Sequence, residues 1–289
     1  MISISFGEKI FRMIVITALC VVSAIAIIPL LSVLSVSLSS KLPVELNLVT
    51  IWPREITLDS WKYMIDRADL WKSFAVTVIS TGIGTFLCLL ITALTAYPLS
   101  KKEFGFGKIV MVLAIITMIF KAPLIPYFLT VKGIGLYNNP LVLVIPHMLT
   151  AFNLIIMRTF FKQFPSELEE AAVVEGAGYF RVLFSLVLPL SKAVLATLGL
   201  FYAVTIWNQF QTPLLFIQNP DWFPLQIKLR QFITSDNEMP MIGDLSQLNY
   251  NTRTLRAVTI VFSITPILLV YPYLQKYFVK GALLGSVKG

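Results

Sequence analysis

The chain has 289 residues, of which 57% are hydrophobic and only 13% are charged, and its mean hydropathy is +0.81. An ordinary soluble domain carries about 25% charged residues, so this composition excludes a soluble enzyme, a disordered regulator and a nucleic-acid binder. The net charge of +8 favours a role in membrane topology, because the basic residues lie between long apolar segments. One histidine and two separated cysteines, Cys20 and Cys88, offer no metal cluster.

Long apolar segments predict six membrane-spanning helices, because about 20 mostly apolar residues cross the hydrocarbon core of a bilayer. The predicted spans lie at about 13–38, 73–100, 109–131, 135–158, 193–218 and 257–276. Only the third span carries a charge in its interior, at Lys121. The expected fold is all-α: one polytopic transmembrane domain over residues 1–289, with six transmembrane helices and both termini on one side.

Lysine and arginine outside the spans indicate the orientation, since the positive-inside rule counts these two residue types. The side that holds the termini has a slight excess of them, mainly through Lys101, Lys102 and Lys108 in one short turn. Both termini are therefore predicted to be cytoplasmic, and the loops 41–72 and 219–254 face the outside. The first span is too long for a cleaved signal peptide and is predicted to be a retained anchor.

The inner loop at 162–190 carries the signals of a short helix. Ser166 and Glu169 have the spacing of a capping box at its start. Gly176 and Gly178 are able to end it in the left-handed conformation. These signals predict a helix of about ten residues, which is too short and too acidic to span a bilayer.

Two roles for this short helix remain open from the residues alone. Ala171 and Ala172 leave a shallow surface that the backbone of a partner is able to approach closely. The alternative is a surface helix that only connects two spans.

The same loop carries a recognisable motif. Its residues are Glu170, Ala171, Ala172, Gly176, Leu186, Leu188 and Pro189. This pattern resembles the EAA loop of the permease subunits of ATP-binding-cassette (ABC) importers, with Leu186 where that family often has isoleucine. The segments 207–210 and 278–289 resemble the carbohydrate-uptake, maltose-type branch of these permeases.

The resemblance implies a type I importer permease in the bacterial cytoplasmic membrane. In that family the short helix docks on a separate nucleotide-binding subunit and transmits its motion. The positions that map onto this coupling role are Glu169, Glu170, Ala171, Ala172, Gly176 and Pro189. The sequence contains no phosphate-binding loop of the Gly-x-x-x-x-Gly-Lys-Ser/Thr type, so the chain itself is not expected to be an enzyme or to hold a cofactor.

The implied partners follow from the same resemblance. Two nucleotide-binding ATPase subunits bind ATP and Mg²⁺, and a second permease subunit, expected to be a different sister chain, completes the path. A periplasmic or extracellular solute-binding protein delivers an oligosaccharide substrate. The lipid bilayer surrounds the chain, and no nucleic acid is expected.

Polar residues inside the predicted spans are candidates for the substrate path, because polar groups in a membrane are costly unless they face a cavity or a partner. They are Lys121, His147, Asn153, Trp207, Asn208, Gln209 and Gln211. Amides suit sugar hydroxyls, and a lysine slightly favours an acidic oligosaccharide such as an alginate fragment. Snorkelling of the lysine, packing of the histidine and helix–helix hydrogen bonding by the amides are the alternatives.

The outer loop 219–254 has the position of a loop that reaches the solute-binding protein in maltose-type systems. Its candidate contacts are Asp236, Glu238, Asp244 and Tyr250, and an ordinary solvated loop is the alternative. An ion-coupled secondary transporter is a rival function, but it usually places acidic residues within spans, and the six spans contain none. An importer for a non-sugar solute is the nearest alternative.

Overall fold

The computed structural model describes residues 6–234 and 249–286, and this part of the chain consists of helices joined by turns and loops. The helices are α1 (Phe6–Ser37), α2 (Lys41–Glu45), α3 (Asp59–Ile65), α4 (Ala68–Ser100), α5 (Gly107–Ile119), α6 (Leu124–Gly133), α7 (Ala151–Lys162), α8 (Ser166–Val174), α9 (Tyr179–Val182), α10 (Leu188–Leu190), α11 (Lys192–Trp207), α12 (Gln211–Phe216), α13 (Leu225–Thr234) and α14 (Thr252–Ser286). The only β-pairing among the described residues is an isolated bridge between Ser39 and Ile56. The predicted all-α class is confirmed.

Short irregular helices connect the longer ones. They are the 3₁₀ helices Pro140–Leu143, Ile145–His147 and Pro220–Trp222, and a π-helical turn, Leu183–Val187, between α9 and α10.

Three of the described helices are long and apolar enough to cross a membrane. These are Gly7–Ser37 in α1, Ala68–Ser100, which is α4, and Thr252–Val270 in α14. No residue in the apolar window of α1 is buried in the isolated chain. Such a surface requires lipid or another membrane subunit around it.

Two further candidates are bent pairs of helices. Pro140–His147 and Ala151–Lys162 meet at 49°, and Tyr179–Leu190 and Lys192–Trp207 meet at 85°. The described residues therefore hold three candidate spans, or five if each bent pair is one span. α5 is also apolar but has only 13 residues.

The segment predicted as a span at 109–131 is not one helix. α5 ends at Ile119, and helical structure resumes in α6 only after residues 120–123. Proline explains the break, because the ring of Pro123 clashes with the carbonyl four residues earlier, that of Ile119, in a continuous helix. Lys121 therefore lies in a helix break, with an exposed side chain, and not within a helical span as predicted.

The segment predicted as a span at 193–218 is also divided. α11 ends at Trp207, and residues 208–210 separate it from α12. The cause is again a proline. Pro213 has no N–H to donate to the Gln209 carbonyl, and in a continuous helix the proline ring would clash with that carbonyl.

The chain divides into two compact units. One unit comprises Trp71–Lys228 and Ile267–Gly289. Its main core joins α4, α5, α7 and the segment from α9 to α11, through buried side chains such as Ala96, Met157 and Leu198. Burial of these apolar side chains on several helices fixes the positions of the helix ends that form the candidate site.

The other unit comprises Met1–Leu70 and Leu229–Pro266. Within it the Ser60 hydroxyl of α3 donates a hydrogen bond to the Thr254 hydroxyl of α14 at 2.9 Å. Asn251 and Thr254 exchange hydrogen bonds at the start of α14, where each accepts from the backbone N–H of the other. This reciprocal pairing satisfies two N–H groups at the helix start.

Candidate functional site

Helix α8 forms the predicted short helix of the inner loop. It spans Ser166–Val174, nine residues, close to the ten expected. Its start differs from the prediction: Pro165 is the residue before the helix, Ser166 is already the first helical residue, and no side chain caps the helix. The predicted capping box of Ser166 and Glu169 is therefore wrong, because the Glu169 side chain bonds to another element.

The Glu169 side chain turns to the end of α4. Its carboxylate forms an ion pair with Lys101 and accepts a hydrogen bond from the Tyr97 hydroxyl at 3.0 Å. The Lys101 Nζ also lies 4.6 Å from the centroid of the Tyr97 ring. The sequence predicted only a role in membrane topology for Lys101. Its ion pair with Glu169 was not predicted, because local sequence patterns carry no information on a partner 68 positions away.

The end of α8 is a Schellman motif. The Ala177 N–H bonds to the Ala172 carbonyl, and the Gly176 N–H bonds to the Val173 carbonyl, both at 2.9 Å. Gly176 has φ +83°, as predicted for the left-handed residue that ends the helix. Gly178 has φ −72° and an extended backbone before α9, so its predicted left-handed conformation is wrong.

One face of α8 is packed and the other is open. Ala172 of α8, and Ala177 just after the helix, pack against the main core of their unit. Glu170 and Ala171 are exposed, and Val174 is 88% exposed. A short helix with small and apolar side chains on its open face is suited to contact with another protein.

Pro189 is the last residue of the predicted coupling set. It lies in α10, the helix that directly follows the π-helical turn Leu183–Val187. Proline cannot donate a hydrogen bond to the carbonyl four residues earlier, that of Ser185. The missing bond is consistent with the π-helical turn, in which hydrogen bonds join residues five positions apart and not four.

An open, mostly apolar cavity of about 380 Å³ lies beside the end of α4. Its lining residues are Leu94, Tyr97, Pro98, Lys101, Glu103, Phe104, Tyr179, Phe180 and Leu183. Tyr179 and Phe180 are about three-quarters exposed, at 74% and 73%. The Lys101 and Tyr97 side chains that hold Glu169 therefore form part of a cavity wall.

Two predicted path residues, His147 and Gln209, interact through their side chains beside the 3₁₀ helices Pro140–Leu143 and Ile145–His147. The Gln209 amide donates to the Leu143 carbonyl at 3.1 Å, and the Cys88 thiol of α4 donates to the His147 carbonyl at 3.2 Å. Trp207 lies at the end of α11. Its ring packs edge-on against the Phe74 ring, with the ring centroids 6.2 Å apart.

Several buried polar atoms in this region have no hydrogen-bond partner among the described residues. They are Thr81 Oγ1, Thr85 Oγ1 and Trp207 Nε1. The side chains of His147 and Gln209 interact with each other. Unpaired buried polar atoms are costly, so each of these atoms is a candidate contact for a water molecule or a ligand group. The two threonines of α4 were not predicted, because a hydroxyl in an apolar helix usually bonds its own backbone.

The other predicted path residues are not gathered there. Asn208 is exposed and its amide donates to the Val204 carbonyl of its own helix at 2.9 Å. Gln211 and Lys121 are exposed, whereas Asn153 is buried in α7.

The predicted contacts of the outer loop fall largely beyond the described part of the chain: Asp236, Glu238 and Asp244 lie outside the described residues. The Tyr250 ring packs against Tyr63, with centroids 5.1 Å apart. Burial, with a smaller effect of Tyr63 and Asp59, raises the pKa of the Tyr250 phenol above its ordinary value. Tyr250 is therefore part of the packing of its own unit.

Within the described ranges, no group of three or more His, Cys, Asp or Glu side chains is placed to hold a metal ion. Cys20 is exposed, Cys88 is buried, and both thiols are free.

Comparison with known proteins gives a consistent result along the chain. Residues 4–283 match the family described as the inner membrane component of binding-protein-dependent transport systems. Two relatives come from Bacillus subtilis. The polygalacturonan/rhamnogalacturonan transport system permease protein YtcP is 36% identical, covering 98% of this chain and 99% of the relative. Protein LplC is 38% identical, covering 93% of this chain and 91% of the relative.

A solved structure is also similar. It is a crystal structure of a bacterial ABC transporter involved in the import of the acidic polysaccharide alginate. One of its chains superposes with a TM-score of 0.89 and 31% identity, covering 95% of this chain and 98% of that chain. The match confirms the type I importer permease fold that the inner loop predicted. The chain therefore belongs to the family of inner membrane components of binding-protein-dependent transport systems.

Proposed function

We propose that this chain is a permease subunit of an ATP-driven ABC importer for oligosaccharides. The observation that carries the proposal is the family match over residues 4–283, which includes the short helix α8 with its open face. The two alternatives weighed from the sequence, an ion-coupled secondary transporter and an importer for a non-sugar solute, are not favoured by the sugar-transport relatives.

The proposed assembly contains two copies of a nucleotide-binding ATPase, a second permease chain and an extracytoplasmic solute-binding protein. ATP and Mg²⁺ belong to the ATPase subunits. α8 is the docking element on this chain, because its exposed face, with Glu170, Ala171 and Val174, is free to enter a groove of a partner.

We further propose six spans with both termini in the cytoplasm, as the loop charges predict. Three long apolar helices, the bent pair Pro140–His147 with Ala151–Lys162, and α11 support five of the spans, and α5 with α6 supplies the remaining one as a broken span. A broken helix at membrane depth is tolerated where it lines a cavity or is covered by protein. The proposed location is the bacterial cytoplasmic membrane.

The proposed substrate is an acidic oligosaccharide derived from a polymer. The support comes from two comparisons, to a permease named for polygalacturonan and rhamnogalacturonan and to an importer of the acidic polysaccharide alginate. Lys121 supplies a positive charge in the break between α5 and α6, where a helix break exposes polar backbone groups as well.

Replacing Lys121 with methionine is expected to lower uptake of an acidic oligosaccharide about fivefold more than uptake of a neutral one, since a single charge contact contributes roughly 1 kcal/mol. The measurement is initial uptake of a labelled oligogalacturonide and of a labelled neutral trisaccharide. Lys132→Met is the control, because Lys132 is an exposed lysine at the other end of α6 that lies 5.3 Å from the Tyr137 ring. Equal losses for both sugars would remove Lys121 from the path.

Deleting 236–248 is expected to reduce stimulation of ATP hydrolysis by the loaded solute-binding protein at least threefold, roughly the loss of a few rim contacts of an interface. This deletion spares Asn249, whose side chain donates to Asp59 at 3.1 Å, and Tyr250, which packs on Tyr63. Unchanged stimulation would make the loop an ordinary solvated connection.

The experiment that tests the assembly is mass spectrometry of the proteins that copurify with the tagged chain in mild detergent. The proposal predicts a nucleotide-binding ATPase and a second permease chain. A stable chain that copurifies with no ATPase would contradict it.

A further inference from the structure

Glu169 differs from the other glutamates on and next to α8. The side chains of Glu167, Glu170 and Glu175 are exposed, whereas only 12% of the Glu169 side chain is exposed. Glu169 is thus the acidic residue of this segment that faces the body of its own chain.

The partners of Glu169 are Tyr97 in the last turn of α4 and Lys101, the residue directly after α4. The ion pair with Lys101 and the 3.0 Å hydrogen bond from Tyr97 meet on the same carboxylate oxygen, Oε2. The Lys101 side chain is itself only 26% exposed. Charge-assisted hydrogen bonds of this kind are stronger than those between neutral groups, and partial burial reduces their screening by salt.

The end of α4 that receives these contacts is firmly held. Tyr97 is 6% exposed. Its ring packs edge-on against the ring of Phe161 in α7, with the ring centroids 6.3 Å apart. The Arg158 guanidinium of α7 donates from Nε to the Leu99 carbonyl at 2.8 Å. A force applied at Glu169 therefore reaches α4 and α7 through short, directional contacts.

α4 also leads to the buried polar atoms of the candidate path. At 1.5 Å per residue its 33 residues extend about 50 Å. It carries Thr81 and Thr85, and at Gly84 it lies against the side chains of Val144 and Ile206. α4 thus connects the contacts of Glu169 to the end of α11, next to the break at 208–210.

We propose that Glu169 is a positioning residue that fastens α8 to α4 through Lys101 and Tyr97, so that displacement of α8 moves α4 directly. The inference rests on the proposed function, since the displacement comes from the partner ATPase. The exposed face of α8 makes the docking contact, and the Glu169 ion pair passes the motion on.

The test uses the complete importer, reconstituted in proteoliposomes with its solute-binding protein, and measures solute taken up per ATP hydrolysed. Glu169→Gln and Lys101→Met are each expected to lower this ratio about tenfold, the effect of losing a hydrogen-bonded charge contact. The double variant is expected to lose no more than either single variant. Glu167→Gln, an exposed glutamate on the same helix, is the matched control and is expected to behave as wild type.

Two further variants separate coupling from folding. Reversing the pair with Glu169→Lys and Lys101→Glu in one chain is expected to restore at least half of the ratio, because the attraction is re-formed. Tyr97→Phe keeps the ring packing, removes only the hydroxyl, and is expected to lower the ratio about twofold, the effect of one modest hydrogen bond.

The outcomes distinguish the inference from the function on which it rests. If wild type and Glu169→Gln take up the same amount of solute per ATP, or if Glu167→Gln loses as much as Glu169→Gln, the fastening role is contradicted and the proposed function stands. If the wild-type complex shows no ATP-dependent uptake, the proposed function fails and the inference fails with it.

Discussion

Replacing Gly176 with valine is expected to abolish at least nine-tenths of solute uptake while ATP hydrolysis continues. Gly176 has φ +83°, in the left-handed region. An ordinary side chain in this conformation strains the backbone by roughly 1–2 kcal/mol, and a β-branched side chain strains it more. No atom lies within 4 Å of a Cβ built at this position, so the effect comes from the backbone alone. The strained residue displaces the end of α8 and the two Schellman hydrogen bonds that fix it.

Gly178 provides the matched control for this prediction. It lies two residues further on, a Cβ there also meets no atom within 4 Å, and its φ of −72° suits any residue. Gly178→Val is therefore expected to retain most of the uptake. The comparison is made in proteoliposomes as uptake and ATP hydrolysis measured together, and similar uptake by the two variants would contradict a role for the geometry of the α8 end.

Replacing Gly84 with valine is expected to destabilise the chain by about 1–3 kcal/mol, the usual effect of overpacking a close contact. A Cβ at Gly84 would lie 2.7 Å from Cδ1 of Ile206 and 3.3 Å from Cγ2 of Val144. Alanine displaces only the flexible end of Ile206, whereas the two γ-carbons of valine also press on Val144. The loss is expected as a lower midpoint of thermal unfolding for the purified importer in detergent.

Gly82 is the control for Gly84. It lies on the same helix, and a Cβ there meets no atom within 4 Å. Gly82→Val is expected to unfold at the wild-type temperature. A midpoint for Gly84→Val equal to that of Gly82→Val would show that the close approach of α4 to Ile206 and Val144 does not exist in the assembled protein.

Local sequence patterns predicted the length of α8 and the left-handed end at Gly176, because helix ends depend on residues a few positions apart. The same patterns misplaced the start of the helix at Ser166 and gave Glu169 a capping role. The Glu169 carboxylate bonds instead to Lys101 and Tyr97, which are distant in sequence. A tertiary ion pair leaves no trace in the spacing of residues within one helix.

Hydropathy predicted where apolar segments occur but not whether each is one helix. A window average is insensitive to a missing backbone hydrogen bond, so it passes over the breaks at 120–123 and 208–210. Pro123 and Pro213 mark both breaks, since each removes the bond to the carbonyl four residues earlier. The consequence for the site is that Lys121 and Gln209 lie at helix breaks and not in regular helix.

The substrate path stays a prediction, but the structure places its residues in different environments. The side chains of His147, Trp207 and Gln209 have buried polar atoms. Asn208 is exposed, and its amide bonds to its own helix. Which polar side chains turn inward depends on packing between helices, and that information is absent from a count along one chain.

Uptake of a labelled acidic oligosaccharide into proteoliposomes shows whether this chain forms part of an ATP-driven importer. The vesicles contain this chain with its copurified partners, ATP inside or outside, and the solute-binding protein on the opposite face. We expect uptake only when both ATP and the loaded binding protein are present. Uptake that persists without ATP and follows an imposed ion gradient would contradict it, and would identify a secondary transporter.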